Sequence, residues 1–343
     1  MEPFIEISST QGLTARFLPL GATLTSLFVK DREGNLVDVV LGFDNIEGYK
    51  ADTAYLGRTV GRVCNRVHRG KFSFEGKDFE FPVSNGGPHL LHGGPHGIAM
   101  REWEVVRHTP TSVTFRVWAD EANDGFPGDA KIDVTYTVND RNELLIEHGA
   151  ICWSPGVLNL TNHTYWNLDG SVRSRVLMLF LVMIASVRDH LLWVDANSFL
   201  PTDEDDFPTG ETVPVKNGVF DFSTEKPIST LEDPDGHIRI DNDFILRSDR
   251  HGAARVLSLY SPRSGIKMEV TTSYPVIHLY GARHLQCQGK GGEEYGPGKG
   301  LAVEAQFHTG SLHYENFPDI SLSPDAPYIQ EVVHSFSVIP SSS

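Results

Sequence analysis

Ionisable and amide side chains concentrate at five places along this chain of 343 residues. Gly61-Arg62-Val63-Cys64-Asn65-Arg66 brings two guanidinium groups and an amide close together. His89-Leu90-Leu91-His92-Gly93-Gly94 is the second cluster, and Asn159-Leu160-Thr161-Asn162-His163-Thr164-Tyr165-Trp166-Asn167 the third. Asp241-Asn242-Asp243 and Glu304-Ala305-Gln306 complete the set. Carboxylates and imidazoles can pass protons, and amides, guanidinium groups and hydroxyls can hydrogen-bond a polar ligand. Each cluster also has a plainer reading. Arg66 suits a solvated edge, His92 suits a turn, Asp241 to Asp243 suit an Asx-type turn, and Glu304 suits the exposed face of a strand. The third cluster resists such a reading. In an extended chain Thr161, His163 and Tyr165 share one face, and Asn162, Thr164 and Trp166 the other. Hydrogen-bonding groups at that density in apolar strands are costly unless they are paired or line a site.

Metal chemistry is the competing use of the histidines. His89, His92 and His96 suggest ligands, and a cupin barrel is also all-β. The chain has no His-x-Glu-x-x-His or paired Cys-x-x-Cys pattern, and Gly-Gly-Pro between His92 and His96 disfavours a shared rigid ligand face. The expectation is therefore no metal. No glycine-rich phosphate loop stands between a strand and a helix, and Gly-x-Ser-x-Gly is absent.

The elements that must position these residues are strands. Ile132, Val134, Tyr136 and Val138 alternate with Lys131, Asp133, Thr135 and Thr137, as expected of a strand with one buried face. Asn139-Asp140-Arg141-Asn142 then turns the chain into a second strand, Glu143 to Ile151. Phe72 and Phe74, then Glu75-Gly76-Lys77-Asp78, then Phe79 and Phe81 predict a hairpin. Leu13 to Val29, Val113 to Ala119, Arg255 to Ser261, Ile266 to Ser273 and Val276 to Ala282 repeat the pattern. With 32 Gly and 20 Pro punctuating many short strands, the fold class is all-β, a sandwich or barrel. No linker or internal repeat divides the chain, so residues 1–343 read as one domain. Val176 to Val187 breaks the alternation with a continuous apolar run, too short to span a membrane. It is expected to pack against the sandwich or to mediate self-association.

Composition narrows the partners. Lys plus Arg number 29 against 45 Asp plus Glu, a formal charge of -16, which disfavours nucleic acid or an anionic membrane surface. Met1 to Gly12 carries no secretory pattern, and Cys64, Cys152 and Cys287 are odd in number and far apart. Two glycosylation sequons, at Asn159 and Asn162, fall inside the third cluster. A cytoplasmic protein is expected.

Taken together, the motifs resemble the aldose 1-epimerase (galactose mutarotase) family over nearly the whole chain. The likeness rests on Leu18-Pro19-Leu20-Gly21-Ala22-Thr23-Leu24, Val39-Val40-Leu41-Gly42-Phe43, Gly61 to Arg66, Leu91-His92-Gly93-Gly94 and Asn159 to Asn167. It continues through Phe199-Leu200-Pro201-Thr202-Asp203, Pro208-Thr209-Gly210, Glu304-Ala305-Gln306 and Phe317-Pro318-Asp319. The resemblance implies a large antiparallel β-sandwich without a cofactor, acting on galactose or glucose as monomer or homodimer. It implies Glu304 as general base and His163 as general acid. It implies sugar contacts from Asn65, Arg66, His92 and Asp241, with Tyr165, His278 and Gln306 at the same pocket.

The sequence departs from the family pattern at three points. Asp241-Asn242-Asp243 stands where the family commonly has Asp-His-Asn, and His278 stands where many members carry glutamine. Val172 to Arg188 is longer and more apolar than the connection the family usually has there. The alternatives are a hexose-phosphate epimerase of the same fold, with Arg62 and Arg66 taking the phosphate, and a non-catalytic sugar-binding protein. A β-protein with no site is the plainest reading.

Overall fold

A computed structural model describes residues 4–83, 87–170, 186–248 and 254–340. Nearly every hydrogen-bonded strand pair is antiparallel, and the α-helices among the described residues are the short Ile46–Ala51 and Glu121–Asp124. The all-β class expected from the alternation and the antiparallel sandwich implied by the resemblance are the architecture found. The apolar run at Val176 lies outside the described residues, except for Ser186 and Val187; the latter is fully buried in the core.

The largest sheet has nine strands, in the order Glu104–Thr109, Ser112–Ala119, Ala130–Val138, Glu143–Cys152, Tyr328–Val338, Ile266–Thr272, Arg255–Tyr260, Leu191–Val194 and Lys226–Pro227. Ala130–Val138 alternates buried and half-buried residues without a break, which is the period-two pattern read from its sequence. The Asn139 to Asn142 turn closes that hairpin. The Asn139 side chain accepts from Arg141 N, and Asn142 takes a positive φ of 58°. At Glu75-Gly76 both residues have positive φ, 48° and 78°, so the two-residue loop of the Phe hairpin matches the twist of its strands. Phe72 and Phe79 then stack at 5.2 Å. Leu13 to Val29 resolves into two strands, Thr14–Leu18 and Thr23–Lys30, reversed by positive φ at Gly21 and Ala22.

A six-stranded sheet runs Tyr165–Trp166, Leu301–Gln306, Val276–Tyr280, Asp241–Leu246, Ala196–Phe199 and Val213–Pro214. A four-stranded sheet is built from Ile5–Ser8, Thr14–Leu18, Thr23–Lys30 and Leu36–Asp38. One apolar cluster joins all three sheets, with Phe17 from the smallest, Tyr136 and Met268 from the largest, and Ile277, Leu279 and Val303 from the six-stranded sheet. Phe17 meets Tyr136 at 4.6 Å, and Trp166 meets Phe336 at 5.9 Å, so aromatic rings lock the layers across the interface.

Candidate active site

The Leu301–Gln306 strand is buried at every residue. Leu301, Val303 and Ala305 point into the common core. Alternation therefore sends Glu304 and Gln306 to the opposite face. The neighbouring strand does the same, with Ile277 and Leu279 in the core and His278 on the other side. Register then decides who meets whom. Asp243 lies opposite His278, and His278 opposite Glu304. Tyr165 lies opposite Ala302, and continuing that register beyond the short strand sets His163 across from Glu304. The result is a transverse row on one face: Asp243, His278, Glu304, His163.

Glu304 and His163 are sealed, at 1% and 4% exposure. His163 Nε2 stands 3.5 Å from Glu304 Oε1. Glu304 Oε2 and His163 Nδ1 have no hydrogen-bond partner among the described residues. The His163 backbone is pinned on both sides, its N–H donating to Arg58 O at 2.8 Å and its carbonyl accepting from Gly57 N at 2.9 Å. Burial pushes the Glu304 carboxyl above its ordinary value, while His163 and His278 pull it back towards ionisation. A carboxylate and an imidazole held this close, each with an empty valence, are placed to trade protons with a bound molecule.

The groups around the pair come from tight turns. Asn65 and His92 both adopt left-handed backbone, φ 57° and 54°, and bond reciprocally. His92 N donates to Asn65 O at 3.0 Å. Asn65 N donates to His92 Nδ1 at 3.1 Å. A Cβ on Gly93 would lie 2.0 Å from Gly61 O, so the turn after His92 requires glycine. Arg66 reaches Asp241 at 3.2 Å and Asp206 at 3.6 Å. His278 bridges the aspartates, Nδ1 to Asp243 at 2.7 Å and Nε2 to Asp241 at 2.9 Å. Asn65, Arg66, His92, Asp206, Asp241 and His278 line a cavity of about 680 Å³, with Tyr55, Tyr165, His163 and Glu304 in its wall. That is the size range of small-molecule sites.

His92, His163 and Glu304 offer ligand atoms within 4.8 Å of one another. Tautomer chemistry argues against a metal there. The Asn65 N–H makes His92 Nδ1 an acceptor, so the neutral ring carries its hydrogen on Nε2, the atom that would have to bind the ion. Burial holds His92 well below its ordinary value, which keeps it neutral and makes Nε2–H a donor. His96 is exposed and outside the cavity wall, so the trio His89, His92 and His96 does not converge.

A sequence model of the family described as "Aldose 1-epimerase" matches residues 3–335. The chain belongs to the aldose 1-epimerase family. It is 34% identical over 324 residues to human galactose mutarotase, covering 93% of this chain and 89% of that protein. It is 28% identical to the aldose 1-epimerase of Escherichia coli K12, covering 97% and 94%. A solved Caenorhabditis elegans GalM/aldose epimerase homologue superposes with a TM-score of 0.91 at 47% identity, covering 99% of this chain and all of that one.

For this member of the aldose 1-epimerase family, the structure gathers most of the residues expected at the site and moves some of them to other duties. Glu304, His163, Asn65, Arg66, His92, Tyr165, Asp241 and His278 all line the cavity. Gln306 does not. It is fully buried behind the row, accepting from Cys64 Sγ and donating to Thr309 Oγ1. Tyr165 shows the cavity its ring, because its hydroxyl donates to Ala54 O at 3.1 Å. Thr161 sits on a separate two-residue strand from Tyr165 and is not in the wall. Arg62 is sealed against the carbonyls of Pro127, Gly128 and Val157.

Sequence reasoning missed three contributions. Tyr55, at φ 58°, packs its ring against His92, the centroids 4.9 Å apart and the planes tilted by 59°. Asp52 is buried, accepts from Ala54 N and Leu56 N, and lies beside Arg58, which fixes the loop that carries Tyr55. Glu204, Asp205 and Asp206 put carboxylates at the cavity wall. The acidic run Asp203 to Asp206 was visible between two family motifs, but nothing in its spacing tied it to Arg66.

Proposed function

We propose that this chain interconverts the α and β anomers of free aldohexoses, galactose and glucose foremost, by acid–base ring opening and reclosure. The observation that carries the reading is the buried Glu304–His163 pair, 3.5 Å apart, with an empty carboxylate oxygen at a cavity of about 680 Å³. The reaction needs an acid and a base close together, because the C1 hydroxyl oxygen and the ring oxygen hang on one carbon. Glu304 takes the proton of the C1 hydroxyl, the bond from C1 to the ring oxygen breaks, and His163 delivers a proton to that oxygen. The open-chain aldehyde rotates about its bond to C2. Closure runs the transfers backwards: His163 recovers its proton from the hydroxyl that attacks, and Glu304 returns its own to the aldehyde oxygen. Arg66, Asp241, Asn65 and the His92 Nε2–H hold the other hydroxyls while C1 turns.

Charge favours a free sugar over a phosphorylated one. Arg66 is already answered by Asp241 and Asp206, Arg62 is walled in by backbone carbonyls, and Glu204, Asp205 and Asp206 stand in the wall. Among the described residues, a phosphate would meet that acidic wall with no arginine or lysine of the cavity left unpaired. A binder with no turnover could accept sugar hydroxyls on a carboxylate, but it would not need that buried carboxylate set 3.5 Å from an imidazole. A single domain is supported by a core cluster that draws on Ile7 at one end and Phe336 at the other. A cytosolic location is supported by three free cysteines, and by burial of the sequon residues Asn159 and Asn162 at 1% and 8% exposure. Among the described residues no helix is long and apolar enough to cross a membrane.

The test is polarimetry on freshly dissolved α-D-galactose, α-D-glucose and α-D-glucose 6-phosphate, before and after exhaustive chelation. Acceleration is expected with both free sugars, surviving chelation, with kcat/KM at least about tenfold lower for the phosphate, as an unmatched charge predicts. No acceleration over buffer would sink the reading. Preference for the phosphate would favour the hexose-phosphate alternative.

A further inference from the structure

His278 lines the cavity, yet neither of its ring nitrogens is available to a ligand. Nδ1 is 2.7 Å from Asp243 Oδ1 and Nε2 is 2.9 Å from Asp241 Oδ1. Carboxylates only accept, so both bonds are made only when both nitrogens carry hydrogen, which is the imidazolium form. The Asn65 Nδ2 atom is 3.3 and 3.4 Å from the two nitrogens. Both contacts are longer than the carboxylate bonds, so the two aspartates are the closer partners of the ring nitrogens.

The two aspartates differ. Asp243 is 3% exposed and anchored by Thr309, whose N–H donates to Oδ2 at 2.7 Å and whose hydroxyl donates to Oδ1 at 3.2 Å. Asp241 is a quarter exposed at its side chain, lines the cavity, and gives its other oxygen to Arg66. We infer that His278 is a protonated post, footed on buried Asp243, that fixes the Asp241 carboxylate for the sugar and holds a positive charge on the strand beside Glu304. It is a positioning residue that works through Asp241 and Glu304. The two departures from the family pattern become one change, because positions 243 and 278 are directly paired across the ladder. An aspartate at one obliges a cation at the other.

The electrostatics agree with the geometry. The paired carboxylates outweigh burial and push His278 up to about 10, and Arg66 and His278 hold Asp241 well below the usual carboxylate range. The groups facing Glu304 are His163 and His92 from the loops, His278, Asp241 and Asp243 from its own sheet, and Cys64 and Tyr165 behind it. Of these, His278 is the one whose hydrogen bonds require it to be charged in the free site.

The inference rests on Glu304 being the base, so one arm of the test is independent of turnover. Long-range nitrogen–proton NMR on the whole labelled enzyme should show both His278 nitrogens protonated from about pH 6 to about pH 9, beyond the range where an ordinary histidine loses its proton. A ring that becomes neutral in that window overturns the inference and leaves the epimerase reading standing. In the other arm, His278→Gln and Asp243→Asn are compared with wild type by pH profile. Losing the cation should move the acidic limb of kcat/KM up by about one pH unit, a Coulomb effect at protein dielectric. KM should rise about tenfold as Asp241 loosens. A folded His278→Gln with an unmoved limb overturns the charge role. Should it fail to fold, Asp243→Asn and the wild-type NMR decide. Inactivity of wild type on every aldose would instead sink the epimerase reading.

Discussion

His148 and His278 are the same residue at nearly the same burial, 1% and 4% exposed, and their surroundings push their proton affinity in opposite directions. His148 lies on the Glu143–Cys152 strand in phase with the core residues Leu144, Ile146 and Ala150. Its Nδ1 meets only the Tyr274 hydroxyl, at 2.8 Å, and its Nε2 has no partner. Burial then pushes it down to about 3, so it is neutral. His278 is out of phase with the core residues Ile277 and Leu279 and meets two carboxylates. Burial sets the cost of charge for both, and the partners decide whether that cost is met. Phase against the core alternation thus separates a packing histidine from a site histidine. Glu304 obeys the same rule, out of phase with Leu301, Val303 and Ala305 on an entirely buried strand.

Replacing the site-face groups should abolish chemistry while the fold remains. Glu304→Gln and His163→Asn are each expected to lower kcat by roughly a hundredfold or more, the usual loss when a general base or acid is removed. Near-normal polarimetric rates in either variant, with unchanged circular dichroism, would break the link between the transverse row and the reaction. A smaller effect is expected one position away from the proton transfers. Asp241→Ala removes the nearer of the two aspartate partners of Arg66 and one of the two acceptors of His278. KM should rise by roughly ten- to a hundredfold, the worth of a hydrogen bond to a charged group. Unchanged kinetics would leave Asp241 a structural residue of its strand, where the Asx-turn reading of its sequence already fails.

The strands were legible because their period survives in the sequence, as in Ile132 to Val138. The two halves of the acid–base pair were legible only as motifs. His163 and Glu304 are far apart in sequence, and it is ladder register, which no local pattern encodes, that sets them face to face. Gln306 shows the limit of the alternation argument. It shares a face with Glu304, yet Cys64 and Thr309 cover it. Tyr55 and Asp206 were invisible because they ride on irregular loops with positive φ, 58° and 62°, where side-chain direction follows no period. The paired change at Asp243 and His278 was seen as two separate departures, since the cross-strand bond that joins them belongs to the sheet.

The mildest test of the comparison leaves the active site alone. His148 is neutral in the folded protein, at about 3, and titrates near 6.5 when unfolded. Its folded value is depressed, so the unfolded chain binds the extra proton first. The stability associated with neutral His148 is fully present above about pH 6.5 and drains away as pH falls towards the folded value. At about pH 5.5 the loss is about 1.4 kcal/mol relative to neutral pH, one decade of unfolded-state protonation. His148→Asn keeps a polar atom near the Tyr274 hydroxyl and cannot titrate. Whatever the substitution costs at neutral pH, the difference in unfolding free energy between about pH 7.5 and about pH 5.5 should shrink by about 1.4 kcal/mol in the variant. Denaturant titrations of both proteins at both pH values measure that double difference. His278 cancels from that double difference because both proteins carry it; its own raised value works the other way, adding stability as pH falls from about 7.5 to about 5.5. An identical pH gap in wild type and His148→Asn would show that His148 is not held neutral, and the contrast between the two histidines would fall.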